Sequence, residues 1–368
     1  MAGQKKGTYG SISLRDLAHL VTVVIRLPFV SLWLITKNIP RLGKSRECKR
    51  TVGASLTRWV FSKVNVAELQ KLSPNSLKTY KSWAKGKNLP IVVDDLIDDT
   101  TLVWIGSKRR DKVVLYLHGG AYVAPLQPFM LEFWHYVQCE LSKDEKQVAF
   151  AVLLYSLVPG APYPTQIRQA VVAVEHILAS GVHPSDLQLV GDSAGCNLIL
   201  GLLAHLMHPL DGIRPIIGLT APLRGAYLMS PWLCMQSTST SFRSKSTKDT
   251  FYAADIDKSG QVVLASVSDE QRIYLEPLHA PDSWFLGLDS VVERLFMSAG
   301  GEELFRDDII KFSQTLSRVK SNFTFTVQEG GIHEDPMLDF HVKLPHDQLG
   351  SLTPLIIRWL SAGLDPFE

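Results

Sequence analysis

The 368-residue chain reads as an α/β protein: a mostly parallel central sheet with helices on both faces and an added helical cap. Three observations carry that reading. From about residue 101 onward, near-continuous apolar runs of strand length alternate with helical segments, the pattern of strands buried on both faces. Two of those runs end in short glycine-bearing motifs, His118-Gly119-Gly120-Ala121 and Gly191-Asp192-Ser193-Ala194-Gly195. Both motifs fall at the carboxyl ends of expected strands, where parallel sheets place their ligands.

In chain order, strands are expected at residues 101–105, 112–117, 148–155, 187–190, 225–229, 295–298 and 322–328, and helices at 164–178, 197–207, 307–318 and 353–362. Residues 50–90 read as helices with polar interruptions, and Ser73-Pro74-Asn75 marks a helix start. The Ser/Thr/Lys-rich stretch 238–257 breaks the alternation and reads as an insertion. The expected organisation is an apolar N-terminal segment (1–50, a candidate membrane anchor) and one domain over 51–368. Its cap would draw on about 51–95 and 238–280. No internal repeat is visible.

Hydrophobic residues make up 46% of the chain, enough for a large core. A formal net charge of +2 gives no electrostatic case for nucleic acid or an acidic partner. Cys48, Cys139, Cys196 and Cys234 form no Cys-x-x-Cys pair and read as reduced core thiols. No metal or cofactor is called for. Glu132-x-x-His135 occurs once and reads as a surface or cap pair. His205 and His208 suit the negative end of a helix. Oligomeric state is not written in the sequence.

Residues 17–36 are twenty mostly apolar positions, about the length that crosses a bilayer as a helix. Arg26 and Pro28 sit near the middle, and a central arginine costs about 2.5–3.5 kcal/mol on insertion scales. A cleaved signal peptide fits poorly, because the apolar region is long and no small-residue cleavage site follows. Lys5, Lys6 and Arg15 precede the segment, while Lys37, Arg41, Lys44, Arg46, Lys49 and Arg50 follow it. That asymmetry would keep the downstream domain cytosolic, for example on the endoplasmic reticulum. The expectation is membrane association through 17–36, spanning or lying in the interface. The alternative is a buried cap helix in a cytoplasmic protein.

Gly-x-Ser-x-Gly between a strand and a helix has the form of a nucleophile elbow, whose small residues permit the sharp turn that lifts the serine Oγ. His-Gly-Gly after an earlier strand supplies backbone N–H groups for a developing oxyanion. A serine needs an adjacent base, oriented by a carboxylate. Among the histidines after Ser193, only His333 stands in a short glycine-bearing loop just past the last expected strand. Residues 302, 303, 307 and 308 offer four carboxylates after the preceding strand. Asp307 and Asp308 are explained by the start of a helix. Glu302 and Glu303 remain open. Tyr122, Phe129, Phe133, Trp134, Trp232, Trp284 and Phe285 cluster near the expected pocket mouth, with Tyr122, Trp232 and Trp284 as the candidate pocket residues.

From about Lys112 onward the chain resembles the hormone-sensitive-lipase-like group of α/β-hydrolases, especially fungal carboxylesterases and steryl acetyl hydrolases. The resemblance rests on the two motifs above together with Tyr155-Ser156-Leu157-Val158-Pro159, Ser230-Pro231-Trp232, Glu303-Leu304-Phe305-Arg306-Asp307 and Gly331-Ile332-His333. It implies the α/β-hydrolase fold and a Ser193–His333–Glu303 triad. Registering Phe305-Arg306-Asp307-Asp308 on the family pattern puts Glu303 on the acid, with Glu302 second. It also implies oxyanion donors at Gly119, Gly120 and Ala194. Two positions depart from the group: Ala121 replaces a third glycine, and the acid is Glu where many relatives carry Asp. The implied substrate is a small lipophilic ester, with a short acyl group (acetyl) on a bulky alcohol such as a terpenoid or sterol. The rivals are an acyltransferase using the same triad and a non-catalytic binding protein on the same scaffold.

Overall fold

In the computed structural model, which describes residues 9–38, 45–244 and 248–365, eight strands form one sheet in the order β1-β2-β4-β3-β5-β6-β7-β8. The strands are β1 (Val92–Asp95), β2 (Thr101–Ile105), β3 (Val113–Leu117), β4 (Ala149–Leu154), β5 (Leu187–Asp192), β6 (Leu223–Met229), β7 (Val292–Gly300) and β8 (Phe323–Gln328). Pairing is parallel from β4 through β3 to β8, while β1 and β2 join antiparallel. Every expected strand and helix has a counterpart. Edge strand β1 was not expected: its Val92-Val93-Asp94-Asp95 run is short and only half apolar, and it lay inside the segment assigned to the cap.

The helices are α1 (Leu14–Lys37), α2 (Ser45–Lys63), α3 (Val66–Leu72), α4 (Ser76–Gly86), α5 (Pro128–Lys143), α6 (Thr165–Ala179), α7 (Ala194–Met207), α8 (Thr240–Arg243), α9 (Ala253–Leu264), α10 (Asp269–Leu275), α11 (Leu288–Val291), α12 (Arg306–Val319), α13 (Asp335–His341) and α14 (Leu352–Ala362). The expected helix start is realised by Asn75, whose side chain accepts the Lys78 N–H at 2.9 Å.

Because side chains alternate across a strand, each central strand feeds two cores. Leu115 and Leu117 of β3 join Ile167, Val174, Leu198 and Leu202 of α6 and α7 on one face. Val114 and Tyr116 join Trp134, Val137, Ile356 and Leu360 of α5 and α14 on the other. All five residues of β3 are buried, as a sheet covered on both sides requires. Removing each such side chain from water contributes about 1.5–3 kcal/mol before conformational entropy is counted. α4 belongs to the second core through Tyr80 and Trp83, so it braces the sheet on the α5 side.

The N-terminal segment is integrated with the rest of the protein. α1 packs on α2 and α3, and His19 Nδ1 stands 2.7 Å from Glu68 Oε1. α2 is held against the C-terminal region by Arg50, which pairs with Asp335 and Asp339. Lys5, Lys6, Arg41 and Lys44, the basic residues that flank the apolar run, lie outside the described residues, as do 245–247 of the insertion.

Candidate active site

Ser193 sits between β5 and α7 at φ 48° and ψ −115°, a left-handed backbone that a residue with a Cβ adopts only at a cost of roughly 1–3 kcal/mol. The flanking glycines make the turn feasible. A Cβ on Gly195 would lie 1.9 Å from the Leu117 carbonyl oxygen, and one on Gly191 would lie 2.8 Å from the Gly195 carbonyl carbon. The elbow is therefore pressed against the end of β3, where the His118-Gly119-Gly120 loop begins.

His333 lies in the loop after β8 and is buried between Phe251 and Phe305, whose rings meet it edge-on with centroids 5.7 and 5.0 Å away. Its Nδ1 stands 3.4 Å from Glu303 Oε2. That is ion-pair reach, short of strict hydrogen-bond geometry, and the Ser230 side chain is the other group that favours the Glu303 carboxylate. Hydrogen bonds of this kind are often long without substrate and tighten in the complex. Burial disfavours a charged His333. The Glu303 carboxylate, with Asp249 and Asp192 beyond it, outweighs that and holds the imidazole pKa above its ordinary value. Burial likewise pushes the Glu303 carboxyl up, against the pull of His333. Glu302 points elsewhere: its side chain is 40% exposed and faces Lys248 Nζ at 3.2 Å. Of the two open carboxylates, only Glu303 meets the histidine.

Asp249, from the Ser/Thr/Lys-rich insertion, went unread in the sequence. It accepts the His333 N–H at 3.0 Å through Oδ1 and the Leu304 N–H at 2.6 Å through Oδ2. One carboxylate thus ties the histidine loop to the acid loop. A lone aspartate in a polar stretch carries no sequence signal for such a link, because its partners are backbone amides about 55 and 84 residues away.

The oxyanion loop corrects one expectation. Gly119 gives its N–H to Asp192 Oδ2 at 3.0 Å, so that amide is already used. The amides of Gly120, Ala121 and Ala194 have no acceptor among the described residues, and Gly120 and Ala121 line the same cavity as Ser193. Ala121 takes φ 51° to do so. The loop is fixed from behind. His118 Nδ1 pairs with the Gly119 carbonyl at 2.7 Å, and the Tyr155 hydroxyl donates to the His118 carbonyl at 2.7 Å. Burial drives the His118 pKa down to about 4, so its ring is neutral and structural.

Glu334 follows His333 in left-handed backbone, φ 54°, with Oε1 3.5 Å from His333 Nε2. A Cβ on Gly119 would meet both Asp192 Oδ2 at 2.2 Å and Glu334 Oε1 at 2.8 Å, so the glycine makes room for a carboxyl pair. Burial raises the pKa of both groups, and the charge on Asp192 raises Glu334 further. Glu334 and Asp192 are hydrogen-bonded side chain to side chain, and Asp192 also accepts the Tyr116 hydroxyl at 2.6 Å.

Ser193, His333, Glu334, Gly120 and Ala121 open onto one cavity of about 330 Å³. Apolar side chains make most of its wall, among them Leu27 of α1, Val60 and Phe61 of α2, Phe129 of α5 and Phe251. A larger hollow of about 1030 Å³ shares Phe61 and Leu69 with it but reaches neither Ser193 nor His333. The three candidate pocket residues lie elsewhere. Tyr122 is buried and donates to Asn197 Oδ1 at 2.8 Å. Trp232 is buried beneath the elbow, giving its backbone N–H to the Ser193 carbonyl at 3.1 Å. Trp284 stacks on His208 at 3.9 Å. Their aromatic bulk serves packing. The cavity wall comes instead from helices whose apolar faces look like ordinary core in sequence. All four cysteines are unpaired, and Cys196 is buried against the Met229 carbonyl.

Residues 114–336, more than half of the chain, match the α/β-hydrolase-fold family. The chain belongs to that family. It is 26% identical over 227 residues to an acetyl-hydrolase of Streptomyces hygroscopicus, covering 61% of this chain and 69% of that protein. It is 23% identical over 233 residues to mug81 of Schizosaccharomyces pombe (strain 972), a protein provisionally named a steryl acetyl hydrolase, covering 60% of this chain and 58% of that one. Among solved structures it is similar to an esterase of the bacterial hormone-sensitive lipase family (TM-score 0.62, 21% identity, covering 92% of this chain and 98% of that one). It is also similar to carboxyl esterase 2 of the fungus Tuber melanosporum (TM-score 0.60, 18% identity, covering 75% and 87%).

Proposed function

We propose that this α/β-hydrolase is a carboxylic ester hydrolase of the hormone-sensitive-lipase-like group, working through Ser193, His333 and Glu303. One observation carries the reading: Ser193 and His333 share the wall of one apolar cavity, with a buried Glu303 oxygen 3.4 Å behind His333 Nδ1. His333 Nε2 takes the Ser193 proton as Oγ attacks the ester carbonyl. The amides of Gly120, Ala121 and Ala194 hold the oxyanion, a service worth about 10²–10³ in rate for each donor. His333 passes its proton to the leaving alcohol, then takes one from the water that attacks the acyl-enzyme and returns it to Ser193 Oγ as the acyl–oxygen bond breaks and the acid leaves. Glu303 keeps the imidazole in the required tautomer and stabilises its charged form.

The substrate class proposed is a short-acyl, acetyl-type ester of a bulky lipophilic alcohol, such as a terpenoid or sterol. The apolar cavity wall supports the lipophilic alcohol, and the relatives named acetyl hydrolases support the short acyl group. Residence at a membrane, through the apolar N-terminal helix, is part of the same reading. Hydrolysis of p-nitrophenyl esters from acetate to palmitate, alongside acetylated terpenols and sterols, tests it. The expected result is kcat/KM highest for acetate or butyrate, with free alcohol released from the lipophilic acetates. A preference for palmitate, or transfer of the acyl group to an added alcohol in place of water, contradicts it.

A further inference from the structure

The notable feature outside the catalytic site is that α1 has three distinct faces. Leu20, Val23 and Leu34 are buried against the enzyme, and Leu27 reaches the catalytic cavity. Turned away from the protein, Leu14, Leu17, Val21, Ile25, Phe29 and Leu32 follow at steps of three and four residues, all exposed, Leu14 and Phe29 by 86% and 70%. Such spacing makes one continuous apolar stripe. Between these faces run Arg15, Arg26 and Lys37, each exposed. They stand eleven residues apart, about three helical turns, so the three cations share one line about a third of a turn from the stripe.

We propose that α1 lies flat in the surface of an anionic membrane, rather than crossing it, with its exposed stripe among the acyl chains and the Arg15–Arg26–Lys37 line at the phosphates. This rests on the membrane part of the functional reading and gives it an orientation. The charge pattern favours lipid as the occupant. A stripe flanked by a cationic line matches apolar chains beneath negative headgroups. Two copies of the chain packed stripe to stripe would leave those cations without an opposing charge. Arg26, which would stand mid-bilayer in a spanning helix, reaches the headgroups in this pose. Lys37 lies 5.0 Å over the Trp33 ring, a pair that suits the interface. Spanning would also strip Leu20, Val23 and Leu34 from their partners and separate His19 from Glu68. With Leu27 in its wall, the catalytic cavity lies beside the membrane surface, so a lipid-dissolved ester would have a short path to Ser193.

The test uses the full chain and reads binding, so it stands or falls separately from the esterase reading. Flotation with phosphatidylcholine vesicles, with and without phosphatidylserine, is compared for wild type, L17S/I25S/L32S and R15Q/R26Q/K37Q. The stripe variant is expected to lose binding to both vesicles, by at least about a hundredfold in partition coefficient. The cation variant should lose about fivefold per residue, only on the anionic vesicles and less at high salt. Both should hydrolyse soluble p-nitrophenyl acetate as wild type does, which shows that they fold. In sealed microsomes, an N-terminal epitope tag should be digested by added protease together with the enzyme body. A protected tag would mean a spanning helix and overturn the proposal. Failure of wild type to bind either vesicle would overturn it too, as would a dimer that the stripe substitutions dissolve.

Discussion

Replacing Ser193 by alanine is expected to lower kcat for p-nitrophenyl acetate by roughly 10⁴–10⁶ with little change in KM. The size follows from the site's construction. Removing Oγ deletes the proposed nucleophile, while the cavity wall and the amides of Gly120, Ala121 and Ala194 remain to bind ester. The fold should survive the change, because alanine meets the same φ of 48° and the Ser193 backbone keeps its hydrogen bonds to Met229 and Trp232. Steady-state kinetics with a thermal melt alongside check both halves. A loss of only tenfold would put the nucleophile elsewhere.

The second large effect separates the two adjacent glutamates. Glu303→Gln is expected to lower kcat by about 10³–10⁴, because the amide cannot hold the imidazolium and favours the wrong tautomer. Glu302→Gln should stay within about twofold, since it alters an exposed pairing with Lys248. The pH profile gives an independent reading. His333 must be neutral to accept the serine proton. Its pKa is raised, so activity is lost, as pH falls, at a value above that of an ordinary histidine. In Glu303→Gln the effect of burial is no longer opposed by the Glu303 hydrogen bond and charge, and the acid limb moves to lower pH. A limb that moves in Glu302→Gln but not in Glu303→Gln would exchange their roles.

Much of this was legible in the sequence for physical reasons. Strands buried on both faces cannot hide their composition, so Val113–Leu117 and Leu187–Asp192 announce themselves. The elbow is legible because only small residues tolerate the approach of Gly195 to the Leu117 carbonyl. β1 escaped because an edge strand needs little apolar surface. The acid remained open on residue evidence alone because consecutive residues of one type differ only in where the chain aims them. Glu303 faces inward and Glu302 outward as the backbone turns into α12. The cavity wall was misread because the aromatic content of residues 122–134, 232 and 284 is used for core packing, apart from Phe129. The true wall includes α1 and α2, distant in sequence and apolar for two purposes at once. The Gly119 amide was misassigned because nothing in the motif reveals that Asp192 turns back to claim it.

The most direct test of the central claim is covalent. The protein is incubated with diethyl p-nitrophenyl phosphate, and labelling is followed by intact mass and peptide mapping beside residual hydrolysis of p-nitrophenyl acetate. The account predicts one diethylphosphoryl group per chain, on the peptide bearing Ser193, with activity lost in step with labelling and no adduct in Ser193→Ala. Full labelling with activity retained, or an adduct on another residue that tracks the loss, would contradict it.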